Sequence, residues 1–199
     1  VPRLFNELDR VLPALGLPWE LVLVDDGSQD DSLALAKALL LQRPGVNATL
    51  LSLSRNFGKE AALTAGLKAA LGDVVVPLDA DLQDPPELIA AMLERWRQGY
   101  DVVYAVRRHR AGDSRTKRVT AFGFYRLMQG LSSIAIPADT GDFRLMDRCV
   151  VEALGQMPER SRFMKGLFAW VGFRQTAIQY DRDARKQGRS GWNYWKLWN

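Results

Sequence analysis

Val74-Val75-Val76-Pro77-Leu78-Asp79-Ala80-Asp81 is the stretch that decides the fold. A β-branched apolar run ends abruptly in two carboxylates, one residue apart. The run reads as a buried strand, so Asp79 and Asp81 are delivered to the rim of a sheet. Two acids there repel each other unless a cation lies between them, and a divalent metal carrying a diphosphate meets that need. Taken alone, an Asp-x-Asp serves equally well as a turn or a helix cap. The surrounding chain decides between these readings.

Working outward, residues 19–24, 48–53, 74–78 and 102–106 read as four strands. Between them lie helical patterns. Leu4, Leu8, Val11, Leu12 and Leu15 recur at helical spacing, Asp30 is placed to cap a helix running to about residue 42, and residues 58–71 form an Ala/Leu-rich helix. Pro85-Pro86 opens the next helix in the first-turn position that proline tolerates. Strands alternating with helices of this length predict βαβ units and an α/β fold with a mostly parallel sheet flanked by helices. Ligands of such sheets bind beyond the carboxyl ends of the strands. Asp25-Asp26, Arg55-Asn56 and Asp79-Ala80-Asp81 all fall at those ends.

The second half is less regular. Residues 107–118 are basic, 120–134 read as an amphipathic helix, 140–145 as a turn entering a short apolar segment, 163–171 as a helix and 173–180 as a strand. A polar, basic loop follows at 182–190. Residues 192–198, with Trp192, Trp195, Trp198 and Lys196, then begin an aromatic helix.

Composition bounds the chemistry. The 199 residues, 47% of them hydrophobic, make one globular domain with a real core. No apolar run is long enough for a membrane span. Residues 1–3 have no leader pattern. A single cysteine, Cys149, excludes an internal disulfide framework and reads as a small core residue. A single histidine, His109, leaves no His-based metal cluster. Chemistry must therefore rest on carboxylates, Arg and Lys, with or without a bound metal. The net charge of +4 and pI of about 9.4 favour anionic partners. No nucleic-acid-binding motif accompanies them.

Each polar cluster carries two readings. Asp25-Asp26-Gly27-Ser28 can hold a ribose or base N–H, with Gly27 allowing close backbone approach, or can feed the next helix. Arg55-Asn56-Phe57-Gly58-Lys59 can hold an anion at a helix start, or be an ordinary turn. Asp79, Asp81 and Gln83 present oxygen atoms at alternate positions, suited to Mg²⁺ or Mn²⁺; Asp84 can cap the helix at Pro85. Arg107, Arg108, Arg110, Arg115, Lys117 and Arg118 form either a solvated face or a phosphate site built of Arg forks. Asp142 is a candidate partly buried base, or an acid paired with a nearby Arg such as Arg144. The Trp-rich tail suits a membrane–water boundary, or the packing of a terminal helix.

Together these strings resemble a known family. Val-Leu-Val-Asp-Asp-Gly-Ser at 22–28 and Leu-Asp-Ala-Asp-Leu-Gln-Asp-Pro-Pro at 78–86 resemble the inverting GT-A glycosyltransferases of family 2. Asp139-Thr140-Gly141-Asp142-Phe143-Arg144-Leu145, Trp170-Val171-Gly172-Phe173 and Arg182-x-x-Arg185-x-x-Gly188-x-Ser190 resemble the polyprenyl-phosphate glycosyltransferases within it. The resemblance implies a GT-A, Rossmann-like catalytic domain over residues 1–191, with 192–199 starting an interface helix. It implies that Asp25, Asp26, Gly27, Ser28, Lys59, Asp79, Ala80 and Asp81 contact the donor nucleotide. Asp79, Asp81 and Gln83 would hold the metal, with Asp81 and Asp142 at the site of transfer. Arg182, Arg185 and Ser190 would close on the donor diphosphate. Arg107, Arg110, Arg115, Lys117 and Arg118 would face the acceptor phosphate.

The implied reaction is inverting, metal-dependent transfer of a hexose from a nucleotide diphosphate sugar, UDP-glucose first, to polyprenyl phosphate. It would take place at the cytoplasmic face of the plasma membrane. The alternatives are a GDP-mannose-dependent mannosyltransferase, a soluble glycosyltransferase with a sugar acceptor, a non-catalytic interfacial binding protein of the same fold, and a nucleic-acid binder. Two departures from the family stand out. Its opening strand, which ends in Pro-x-x-Asn-Glu, is not among these residues, since Asn6-Glu7 falls inside the first helix. Its C-terminal membrane helices are also absent. The expectation is a catalytic core of a longer, membrane-anchored protein, with a homo-oligomer of the full-length chain compatible with it.

Overall fold

The computed structural model describes residues 1–107, 140–157, 167–168 and 170–180. Strands β1 (Glu20–Asp25) and β2 (Asn47–Ser52) pair in parallel, from Glu20 opposite Asn47 to Asp25 opposite Ser52. Strands β3 (Val74–Val75), β4 (Val102–Arg107), β5 (Thr140–Asp147) and β6 (Gln175–Tyr180) form a second sheet in the order β3-β5-β4-β6. β6 is parallel to β4, whereas β5 runs antiparallel to both β4 and β3. The helices are α1 (Pro2–Val11), α2 (Ser32–Leu41), α3 (Lys59–Ala69), α4 (Leu88–Arg97) and α5 (Arg148–Gln156), with a 3₁₀ turn at Pro13–Leu15. The α/β architecture is the expected one, and the antiparallel β5 is an addition to it.

That strand replaces the turn expected at 140–145. Gly141 and Asp142 are turn residues, and Arg144 interrupts the apolar pattern. Even so, Phe143, Leu145 and Met146 are buried. Successive residues of a strand face opposite sides, and β5 serves two cores. Phe143 and Leu145 pack with Ile89, Met92, Val103 and Tyr180 on one face. Met146 packs with Leu67, Val102, Val150 and Phe168 on the other. Val102 and Val103 of β4 divide in the same way.

Four local expectations are corrected. β3 stops at Val75, because Pro77 has no N–H to give to a ladder. The carbonyls of Pro85 and Pro86 accept from Leu88 and Ile89, so the pair forms an entry turn and α4 begins at Leu88. Asp30 lies one residue outside the cap of α2 and accepts from the Ser32 N–H at 3.0 Å. Cys149 is exposed at the start of α5, not in the core.

One further feature positions the site. Among the described residues β1 and β3 share no ladder. Between them lies a cavity of about 800 Å³, lined by Leu21, Val22 and Val24 on one side and Val74, Val76 and Leu78 on the other. α3 spans the two blocks. Its Gly66 sits so close to β1 that a Cβ there would meet Val24 Cγ2 at 3.2 Å. Its Leu67 belongs to the core of the second sheet. At one end the Glu20 carboxylate accepts the N–H groups of Leu71 and Gly72, at 2.5 and 2.8 Å.

Candidate functional site

The carboxyl ends of β1 and β2 meet first. The Asp25 carboxylate accepts weakly from the Ser28 N–H, at 3.3 Å, and from Ser52 Oγ, at 3.4 Å. Asp26 turns the other way: Oδ1 accepts from the Phe57 N–H at 2.8 Å and Oδ2 from the Gly58 N–H at 2.9 Å. Gly27 makes this approach possible. Its φ is +70°, and a Cβ there would lie 2.4 Å from the Arg55 carbonyl carbon. The N–H groups of Phe57 and Gly58, just ahead of α3, are therefore held by Asp26, while the N–H groups of the first helical turn, from Lys59 onward, take no part in this contact.

Lys59 is the first residue of α3. Its Nζ lies 2.8 Å from Asp79 Oδ2 and 2.7 Å from Asp142 Oδ2. One ammonium thus joins the carboxylate after β3 to the carboxylate on β5. Burial pulls the Lys59 pKa down, but donation to Asp142 and to Asp79 outweighs it and leaves the pKa above its usual value. The Asp142 side chain is 20% exposed, as expected for a partly buried acid, but its ion pair is with Lys59 and not with Arg144. Arg144, two residues along β5, is buried with its guanidinium 3.7 Å from the centre of the Phe168 ring. Loss of hydration lowers its pKa to about 10, against the pull of the Asp142 charge. Asp142 thus feels two cations, Lys59 through the ion pair and Arg144 through its charge.

The carboxylate turn at 79–84 is tightly bonded within itself. The Leu82 N–H donates to the Asp79 carbonyl at 3.1 Å. Asp81 accepts from the Gln83 N–H at 3.0 Å and from Gln83 Nε2 at 2.5 Å. Leu82 takes φ +54°, a left-handed conformation that branched side chains rarely adopt. Asp84 does not cap α4. It is buried and accepts a hydrogen bond from the Tyr180 hydroxyl at the end of β6.

Asp79 and Asp81 share one turn, and their donors are hard oxygens, so the residues fit a Mg²⁺ or Mn²⁺ ion. Such ions take one or two carboxylates and fill the shell with water and substrate phosphates. No group of three or more His, Cys, Asp or Glu able to cage a metal occurs among the described residues.

The structure thus brings together Asp25, Asp26, Gly27, Ser28, Lys59, Asp79, Ala80, Asp81, Gln83 and Asp142 along one edge of the sheets. Arg110, Arg115, Lys117, Arg118, Arg182, Arg185 and Ser190 lie outside the described residues, as do the helix at 120–134 and the Trp-rich tail. Arg107 closes β4, and its side chain is not described. Sequence reasoning missed the Lys59 bridge and the Tyr180–Asp84 bond. Both join residues far apart in the chain, so local spacing carries no signal for them.

Residues 3–155 match the family described as glycosyl transferase family 2. An uncharacterized glycosyltransferase of Synechocystis is 53% identical over 198 residues, covering 99% of this chain and 61% of its own length. A prophage bactoprenol glucosyl transferase homolog of Escherichia coli is 47% identical over 180 residues, covering 90% of this chain and 58% of its own. The chain thus spans about three fifths of the length of these relatives. Among solved structures, a Pyrobaculum calidifontis mannosyltransferase in complex with GDP-Man and Mn²⁺ superposes with a TM-score of 0.63 at 21% identity, over 96% of this chain and 56% of that one. That likeness is one of fold.

Proposed function

The chain belongs to glycosyl transferase family 2, and from that membership we propose that it transfers a glucosyl unit from UDP-glucose to a polyprenyl phosphate at the cytoplasmic face of the membrane. The observation that carries this reading is the Lys59 bridge, which sets Asp79 and Asp142 against one ammonium at 2.8 and 2.7 Å. A donor diphosphate held by the 79–83 turn would then lie beside the carboxylate on β5. The bactoprenol glucosyl transferase homolog, 47% identical, supports both the acceptor and the sugar.

In this reading Asp25, Asp26, Gly27 and Ser28 line the nucleoside end, and Asp79, Asp81 and Gln83 hold a divalent cation. When bound, that cation supplies positive charge against the donor diphosphate. The acceptor is a phosphate monoester. By analogy with phosphorylated side chains its second pKa is about 6, so it is dianionic at neutral pH. One of its oxygens forms the new bond to the anomeric carbon from the face opposite the diphosphate. The old carbon–oxygen bond breaks, and its electron pair stays on the departing phosphate. No proton moves, so Asp142 orients the acceptor without having to deprotonate it. Arg182, Arg185 and Ser190 serve the leaving diphosphate, and the basic residues 107–118 serve the lipid phosphate.

Calorimetric titration of the full-length protein with UDP and GDP tests the donor site, each with Mn²⁺ and with EDTA, beside Asp81→Ala. Metal-dependent UDP binding that is lost in the variant is expected. Binding of neither nucleotide would reject the transferase reading, and GDP binding alone would replace the donor.

A further inference from the structure

The carboxylate turn at 79–84 is a strained element. Leu82 at φ +54° costs about 1 kcal/mol or more, and such residues persist only where their surroundings over-determine them. The bonds from Leu82 to Asp79 and from Gln83 to Asp81 are internal to the turn. They set its shape without setting its place on the sheet. Lys59 is tied to Asp79 through a side chain 52% exposed, and an ion pair so exposed is a soft tether.

The last residue of the turn is different in kind. Asp84 is only 9% exposed and Tyr180 only 7%. The Tyr180 ring belongs to the core cluster that holds Phe143, Leu145, Ile89 and Val103. Its hydroxyl reaches across 96 positions of sequence to donate to Asp84 Oδ1. A buried carboxylate without a donor is costly, so breaking this bond is strongly disfavoured. It is a dry pin from the sheet core to the foot of the turn. Tyr180 also closes β6, two residues ahead of Arg182 in the sequence.

We propose that the Tyr180–Asp84 hydrogen bond fixes the 79–84 turn on the sheet, making Tyr180 a positioning residue for the carboxylates Asp79 and Asp81. This rests on the reading of those carboxylates as the donor's metal site. Tyr180 touches neither metal nor donor. It acts through the place it gives the turn.

The test uses the full-length protein with Tyr180→Phe, Asp84→Ala, Asp84→Asn and the double variant Tyr180→Phe/Asp84→Ala. Three measurements are made: amide exchange over residues 79–84, Mn²⁺ affinity by electron paramagnetic resonance in the presence of UDP, and steady-state kinetics for the donor. Tyr180→Phe is expected to speed exchange in the turn and to weaken Mn²⁺ about tenfold, with donor KM raised and kcat changed less than twofold. Asp84→Ala should match it, and Asp84→Asn, which keeps an acceptor, should recover most of the loss. The double variant should be no worse than either single one. If Tyr180→Phe does not fold, Asp84→Ala against Asp84→Asn carries the same comparison. Unchanged exchange in the turn, or losses that add in the double variant, would overturn the proposal. If the wild type binds neither Mn²⁺ nor UDP, the transferase reading fails, and exchange over 79–84 still decides whether the pin exists.

Discussion

The Asp26 carboxylate holds the Gly58 N–H at 2.9 Å and so sets where helix α3 begins. The next residue is Lys59, whose ammonium bridges Asp79 and Asp142. The tip of β1 therefore controls the placement of a cation that serves carboxylates of the other sheet.

Gly27 is the tightest point of that relay. Alanine there must adopt φ +70° and place a Cβ 2.4 Å from the Arg55 backbone. The left-handed conformation alone costs about 1–2 kcal/mol, and the backbone contact adds to it. Gly27→Ala is expected to lose at least that much in urea unfolding and to lose UDP binding with it. A variant of unchanged stability would contradict the close packing of the two turns.

Lys59→Met should act on function more than on folding. The pair with Asp79 is half exposed and contributes at most about 1 kcal/mol. Loss of the bridge should nonetheless lower kcat/KM at least tenfold, about 1.4 kcal/mol. The pH dependence has a definite sign. Because the folded-state pKa is raised above 10.5, the Lys59 contribution is complete below that value. It is lost as pH rises through the elevated one. The stability difference between wild type and variant should hold steady from neutral pH to 10.5 and shrink above it.

Asp142→Asn should cost less activity than Asp81→Ala. The acceptor phosphate needs no strong base, whereas Asp81 belongs to the turn proposed to hold the donor. Steady-state kinetics with UDP-glucose and a short polyprenyl phosphate would compare them. Equal losses would assign Asp142 a proton-transfer role.

Asp147 offers a stability test remote from the site. It caps α5 by accepting from the Cys149 N–H at 2.9 Å, and it also accepts from Trp96 Nε1 at 2.7 Å. Burial raises its pKa, but the Trp96 and Cys149 bonds prevail and leave it below 3.8. Asp147→Ala should cost about 1–2 kcal/mol at neutral pH. Because the folded pKa is depressed, that difference is present above 3.8 and should fade as pH falls through the lower folded value.

What the sequence made legible was what periodicity and chain order encode. β1 and β4 hold continuous apolar runs at 21–24 and 102–106, β2 an apolar run broken only by Thr49, and these runs place each strand within a residue of its observed bounds. The carboxylates Asp25, Asp26, Asp79 and Asp81 follow strands, so the parallel connection brings them to one edge. β5 was hidden because its entry, Gly141-Asp142, has turn chemistry and its centre holds Arg144. That arginine is accommodated by the Phe168 ring, a partner 24 positions away. The Asp26 contact with Phe57 and Gly58, the Lys59 bridge and the Tyr180–Asp84 bond were equally out of reach. Each depends on tertiary placement, and the residue types involved are common in turns and helix ends for unrelated reasons.

The polar edge draws on both sheets. Asp25 and Asp26 follow β1, whereas Lys59 pairs with Asp79 after β3 and with Asp142 on β5. A nucleotide touching both sets of carboxylates acts as a suture, and any free energy of its binding that depends on their spacing is withdrawn from every form in which they part. Occupancy of the site and cohesion of the domain then become two readings of one equilibrium.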